Sequence, residues 1–150
     1  MENFAIRNFI SEDCHLLYPI LADHKVMKYI EEPFSLEETI EFIENNGLCD
    51  PPRIFAVESD DAFIGYVIYH DYDETAKEIG WVLRSDMWDK GYAQILTEKL
   101  ISMCKDEDKD AVIECVPEQH KTVHIAEKYG FEHEGQRGVC NVYRLKTKSL

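Results

Sequence analysis

The chain has 150 residues, 45% hydrophobic and 31% charged, and its 30 acidic against 16 basic side chains leave a formal net charge of -14. That length suits one domain around a single core, while the acidity argues against a nucleic-acid partner and favours a cationic one. Five cysteines (Cys14, Cys49, Cys104, Cys115, Cys140), odd in number and without a CxxC pair, argue against both a disulfide framework and a zinc site. They suit a reducing cytoplasm, and no apolar run reaches the length of a membrane span. The first residues, MENFAIRNFISED, lack a basic-then-apolar leader, so the expectation is a cytoplasmic protein without a membrane partner.

In chain order, the loose alternation of Asn3 to Asn8 predicts a strand. Ser11 is placed to cap a helix running to about Tyr18, where Pro19 interrupts it, and Ala22 to Ile30 predicts a second helical piece. Ser35-Leu36-Glu37-Glu38 is a capping box, after which Leu36, Ile40 and Ile43 define an apolar face ending at Gly47. Pro51-Pro52 marks a loop. The β-rich runs Ile54 to Glu58 and Ala62 to His70 flank Ser59-Asp60-Asp61 and predict a hairpin, and Asp71 to Ala76 turns the chain into a third strand at Glu78.

The stretch from Glu78 to Lys105 reads strand, loop, helix: Glu78 to Leu83 is apolar and β-prone, and Ala93, Leu96, Leu100, Met103 and Cys104 recur at helical spacing. Between them lies Trp88-Asp89-Lys90-Gly91-Tyr92-Ala93. A glycine and a small residue at a helix start let a ligand approach the backbone closely, the helix dipole favours an anion there, and Lys90 adds a formal charge. Neither GxxxxGK[ST] nor GxGxxG occurs, so the nucleotide expected here need not be ATP or NAD. Further on, Ala111 to Val116 predicts a strand ended by Pro117, Thr122 to Tyr129 a helix with Gly130 after it, and Phe131 to Glu134 with Val139 to Leu145 a closing β pair. Strands and helices in this order predict a mixed α/β sheet with helices on both faces.

EIGWVL followed by W-x-K-G-Y-A and a helix resembles the acetyl-CoA-binding motif of the GNAT N-acetyltransferase superfamily, Q/R-x-x-G-x-G/A, with Gly91 and Ala93 matching. Trp88 in the first position is usual in the branch resembling the ribosomal-protein N-terminal acetyltransferases, the RimJ/RimL type. Gln119-His120-Lys121-Thr122, VHIAEKYGF and Glu134-Gly135-Gln136-Arg137 are similar to that branch's N-x-x-S-x-x-V-x-E-K-L-G-F-x-x-E-G-x-x-R. Arg7, Asp13 and DHKVMKYIEEPFSLEETIEFI fit it as well, so the resemblance covers nearly the whole chain. It implies a mostly antiparallel, twisted sheet of six to seven strands in a single domain over residues 1–150.

The resemblance implies acetyl-CoA as co-substrate without a metal, held through Trp81, Val82 and Leu83 on the central strand, through Trp88, Asp89, Lys90, Gly91, Tyr92 and Ala93, and through Gln119 and Thr122. An alkyl amine with a pKa near about 10.4 must lose a proton before it attacks a thioester, and Glu78 at the start of the central strand is the first choice of base. The family's usual tyrosine acid is replaced by Ala126, and Thr122, where the branch has a serine, retains a hydroxyl to serve the departing thiolate. Tyr29, Glu31, Glu32 and Phe34 lie where the family's acceptor sites form. The acceptor implied is a protein N-terminus or a cationic small-molecule amine, and the protein a monomer or homodimer. An acyl-CoA-binding or regulatory protein with little catalysis is the alternative, favoured by Ala126. His120 and His124 are four apart on the predicted helix but lack an obvious third ligand, and Cys104 and Cys115 sit in apolar contexts that suit core thiols rather than nucleophiles.

Overall fold

The structure, a computed structural model, describes residues 3–149. Seven strands, β1 (Phe4–Arg7), β2 (Ile54–Ser59), β3 (Ala62–Asp73), β4 (Ala76–Leu83), β5 (Asp110–Cys115), β6 (Glu132–Arg137) and β7 (Cys140–Leu145), form one sheet in the order β1-β2-β3-β4-β5-β7-β6. Only β4–β5 among the registered pairs is parallel; β1–β2, β2–β3, β5–β7 and β6–β7 are antiparallel. Five α-helices among the described residues accompany it: α1 (Cys14–Leu21), α2 (His24–Met27), α3 (Leu36–Asn46), α4 (Tyr92–Asp106) and α5 (His120–Lys128). The mixed α/β sheet expected from the sequence is thus present with seven strands. By its internal packing the chain divides into two compact units. One holds the chain up to Ile68 together with Trp81–Ala93, and the other Tyr69–Gly80 with the chain from Gln94 onward. No helix among the described residues is long and apolar enough to cross a membrane.

In the first unit, Phe9, Leu17, Ile20, Leu21, Ile43, Ile54, Phe63, Tyr66 and Val82 belong to one buried cluster. Three expectations change here. Ser11 does not cap a helix: a single 3-10 turn, Ser11–Asp13, comes first, and Asp13 closes it by accepting a hydrogen bond from the Ile10 N–H at 2.9 Å. Pro19 does not interrupt α1, which runs to Leu21. Proline removes one intrahelical hydrogen bond, and burial of Leu17, Ile20 and Leu21 on the same short helix outweighs that loss. The capping box of α3 forms as expected, with Glu38 N–H on Ser35 Oγ at 3.1 Å and Ser35 N–H on Glu38 Oε1 at 2.9 Å. Its buried face differs: Thr39 and Ile43 are buried, whereas Leu36 and Ile40 are exposed. The hairpin between β2 and β3 turns on Asp60 and Asp61, both at positive φ, a pairing of signs that matches the right-handed twist of the strands. Gly65 on β3 has φ +151°, and a Cβ there would stand 2.0 Å from the Val82 carbonyl oxygen, so only glycine lets β4 come this close.

In the second unit β3 continues three residues past the expected end and β4 begins two residues early, so the turn between them tightens to Glu74-Thr75. Alternation then gives the sheet a face. Tyr72, Ala76, Val112 and Val142 pack together on it. At one end of that face Arg144 is fixed by Asp110 at 3.0 Å, Asp73 at 3.0 Å and the Thr75 hydroxyl at 2.7 Å. α5 starts at His120, two residues before the expected Thr122, and Gly130 follows it at φ +88°, where glycine is least costly.

Candidate active site

In the first unit, β4 delivers Trp81, Val82 and Leu83 to a 3-10 turn, Ser85–Met87, and the chain then passes through Trp88-Asp89-Lys90-Gly91 into α4. Three anchors hold this loop. The Trp88 indole N–H donates to the Leu83 carbonyl at 3.0 Å, Arg84 donates to the Phe63 carbonyl at 3.1 Å and to Asp86 at 2.7 Å, and the Ser85 hydroxyl donates to Asp23 at 2.9 Å. Tyr92 is buried, with Phe4 edge-on to its ring at 5.2 Å. Trp88 therefore ties the loop to the end of the strand.

Asp89 and Gly91 both take positive φ, +60° and +84°, and reverse the chain just before α4 begins. Asparagine and aspartate tolerate that region and glycine enters it freely. A Cβ built on Gly91 meets nothing within 4 Å. The glycine answers the backbone angle and leaves open space in front of it, at the positive end of a 15-residue helix with Lys90 exposed beside it. The chain's own residues thus fit a phosphate-bearing ligand at this loop.

The residues expected to meet an acceptor lie in the same unit, between α2 and α3. Tyr29 is exposed and carries Lys28 Nζ 5.1 Å from its ring centroid; Glu31 and Glu32 are exposed as well. Phe34 differs, because its ring packs edge-on to Phe42 at 5.8 Å and joins the core. Beneath them Tyr66 is buried, and burial first, then the Glu31 charge, raises its phenol far above the ordinary value.

The second unit holds Glu78, Gln119 and Thr122. Glu78 is half-buried on β4, directly across from Val112 in the parallel ladder, and its Oε1 lies 3.6 Å from His70 Nε2. The other imidazole nitrogen of His70 is 2.9 Å from the Asp71 carbonyl. The fold thus brings Glu78, the expected base, beside His70, which the sequence places only at the end of the preceding strand. Thr122 is in the first turn of α5, half-buried, and Gln119 just before it accepts from the Val116 N–H at 3.1 Å, closing the turn that leads out of β5. Ala126 is fully buried, and Tyr129, three residues on, points its hydroxyl to Glu98; burial first, then the bond to Glu98, raises its phenol to about 12. Burial pushes the Cys104 thiol up to about 12 and Cys115 to about 11, so neither is a nucleophilic thiolate near neutral pH.

Reasoning from residues missed Glu114 on β5. It stands two positions beyond Val112 on the face that carries Glu78, and its buried Oε2 accepts no hydrogen bond among the described residues. Arg137, the last residue of the E-G-x-x-R run, reaches towards it, Nη1 to Oε2 at 3.6 Å. The signal was in that run, but only β-sheet register joins residues 114 and 137.

The profile of the family described as "Acetyltransferase (GNAT) domain" matches residues 3–132. An uncharacterized N-acetyltransferase of Bacillus subtilis (strain 168), YnaD, is 30% identical over 139 residues, covering 89% of this chain and 82% of the relative. An acetyltransferase of the GNAT family from Bacillus anthracis has a similar structure, with a TM-score of 0.81 and 25% identity over 97% of this chain and 95% of its own. RimL, a ribosomal L7/L12 alpha-N-protein acetyltransferase solved in complex with coenzyme A, has a TM-score of 0.80 at 18% identity, covering 95% of this chain and 93% of its own.

Proposed function

The chain belongs to the GNAT acetyltransferase family, and we propose from there that it passes acetyl from acetyl-CoA directly to a primary amine, on a protein N-terminus or a small cationic molecule. The observation that carries this reading is the turn at Gly91: its positive φ and the open space where a side chain would stand suit a backbone that must lie against phosphate. Bound acetyl-CoA supplies a thioester whose carbonyl carbon is the electrophile.

The chain's residues then have separate tasks. Lys90 and the start of α4 bind the phosphates, and Trp88 keeps the loop attached to β4. Glu78 takes the proton from the ammonium, directly or through water, with His70 beside it to accept the charge onward. The amine nitrogen bonds to the acetyl carbon, the carbon–sulfur bond breaks, the sulfur leaves as thiolate, and the second proton on the nitrogen passes to the thiolate or to solvent as the neutral amide forms. A backbone N–H on β4, that of Val82, meets the oxyanion formed on the way. Thr122 gives the thiolate a hydroxyl to hydrogen-bond, and with an ordinary thiol pKa near about 8.5 the thiolate leaves without a strong acid. Exposed Glu31 and Glu32, with Tyr29, draw a cationic acceptor to the loop before α3.

Calorimetric titration with acetyl-CoA tests the cofactor half of this reading. A Cβ at position 91 meets no protein atom within 4 Å, so Gly91→Glu is expected to abolish binding through repulsion and obstruction of phosphate, while the thermal midpoint falls only by the cost of a side chain at positive φ. Undiminished binding by that variant would remove the loop from the site. The catalytic half rests on Glu78→Gln, which lowers kcat about 10²-fold or more with acetyl-CoA affinity retained, followed by thiol release; an unchanged kcat would dismiss Glu78 as base.

A further inference from the structure

Strand register places Glu78 opposite Val112, and Glu114 lies two residues on, so both carboxylates stand on one face with Cα atoms roughly 8 Å apart by ordinary strand spacings. Val142, opposite Glu114 on β7, and Tyr72 pack on the same face, while Cys140 two residues earlier pairs with Arg137. The Arg137 guanidinium is 5.6 Å from the Tyr72 ring centroid and 3.6 Å from Glu114 Oε2. Its distance to Oε2 is too long for a hydrogen bond, and that oxygen, shut off from water, has no donor among the described residues. Arg137 itself is 68% exposed on the hairpin before Gly138.

A buried carboxylate oxygen without a donor is costly, and an aromatic ring beside it adds a second attraction for a cation. Arg137 meets only part of that demand, from an exposed, solvent-reaching side chain. An alkylammonium is smaller than a guanidinium on its long stem, and its three N–H donors need no fixed fork geometry. Resting on the acetyltransferase reading above, we infer that Glu114 and Tyr72 form a seat for a second cationic group of the acceptor, which Arg137 occupies until the acceptor displaces it. The acceptor class is then a diamine or longer polyamine, with one ammonium on Glu114 and the amine to be acetylated beside Glu78. Glu114 determines specificity, and Arg137 is its internal competitor.

The two residues therefore have opposite effects. With acetyl-CoA saturating, 1,4-diaminobutane and butylamine are compared in wild type, Glu114→Gln and Arg137→Ala. Wild type is expected to favour the diamine in kcat/KM by about tenfold or more, the value of a charge-assisted hydrogen bond, and Glu114→Gln brings that ratio close to one through a rise in KM for the diamine. Arg137→Ala lowers the KM for the diamine. A higher diamine KM in Arg137→Ala, or an unaltered ratio in Glu114→Gln, would overturn the seat. Calorimetric titration of the diamine without acetyl-CoA separates the two readings. Binding to wild type that is lost in Glu114→Gln supports the seat even if neither amine is acetylated, whereas acetylation of both amines with no dependence on Glu114 leaves the acetyltransferase reading standing and discards the seat.

Discussion

Two arginine–carboxylate pairs, one in each unit, are built in opposite ways. In the first unit Arg7 grips Asp13 with two parallel hydrogen bonds, 2.8 and 2.9 Å, and its second nitrogen also reaches Glu58 at 3.3 Å. Asp13 is only 2% exposed and accepts the Ile10 N–H as well, so its lone pairs are met from three directions. In the second unit Arg137 approaches Glu114 through one nitrogen at 3.6 Å and leaves Oε2 without a donor. A satisfied, bidentate pair defines where β1 meets the first helical turn. An unsatisfied pair is poorly suited to holding a fold and well suited to receiving a ligand.

Removing one partner of each pair sharpens the contrast. Asp13→Ala leaves the Arg7 charge facing a cavity and an Ile10 N–H without its acceptor, and is expected to cost about 3 kcal/mol in urea denaturation, the low end for a broken buried pair because Arg7 is partly solvated. A cost near zero would erase the distinction drawn between the two pairs. Acid gives a second, smaller separation. Burial raises the Asp13 pKa, but the hydrogen bonds from Arg7 and Ile10 outweigh it and hold the carboxyl below its usual range. With the folded value below an unfolded one of about 3.9, the contribution of Asp13 is complete above that pH and is lost as the pH falls through the folded value. Asp13→Asn should therefore flatten the acid limb of stability below about pH 4, and an unchanged limb would assign acid unfolding to other carboxylates. The smallest effect is expected in the second unit. Glu114→Gln and Arg137→Ala leave the thermal midpoint where it is, or raise it for Glu114→Gln, which no longer buries a charge without a donor; a fall of several degrees in either would make this pair structural as well.

Much of this contrast lies beyond local reading. Ser35 and Glu38, three residues apart, announce their own capping box, and Gly91 with Ala93 marks the start of α4 because backbone angle and helix onset depend on near neighbours. Leu36 and Ile40 share the apolar spacing of Ile43, yet Thr39 and Ile43 occupy the buried face, with Phe42 packed against the core beside them. Pro19 reads as a stop locally and is overridden by burial of the residues around it.

Glu78 was legible as a candidate from its place at the head of a strand, but its proximity to His70 comes from the β3–β4 turn and the tightness of Glu74-Thr75. Glu114 was not legible, because an acidic residue in a strand has no distinguishing neighbours until register puts Val112 and Val142 beside it and the hairpin carries Arg137 across. By itself the sequence determined the order of strands and helices, the loop at Gly91 and the family, all of which are written in short-range spacing and turn chemistry. The tertiary structure alone decided which carboxylates gain a distant donor and which are left open, because Arg144 reaches Asp110 from 34 positions away and Asp73 from 71, and Tyr129 reaches Glu98 from 31, only after folding.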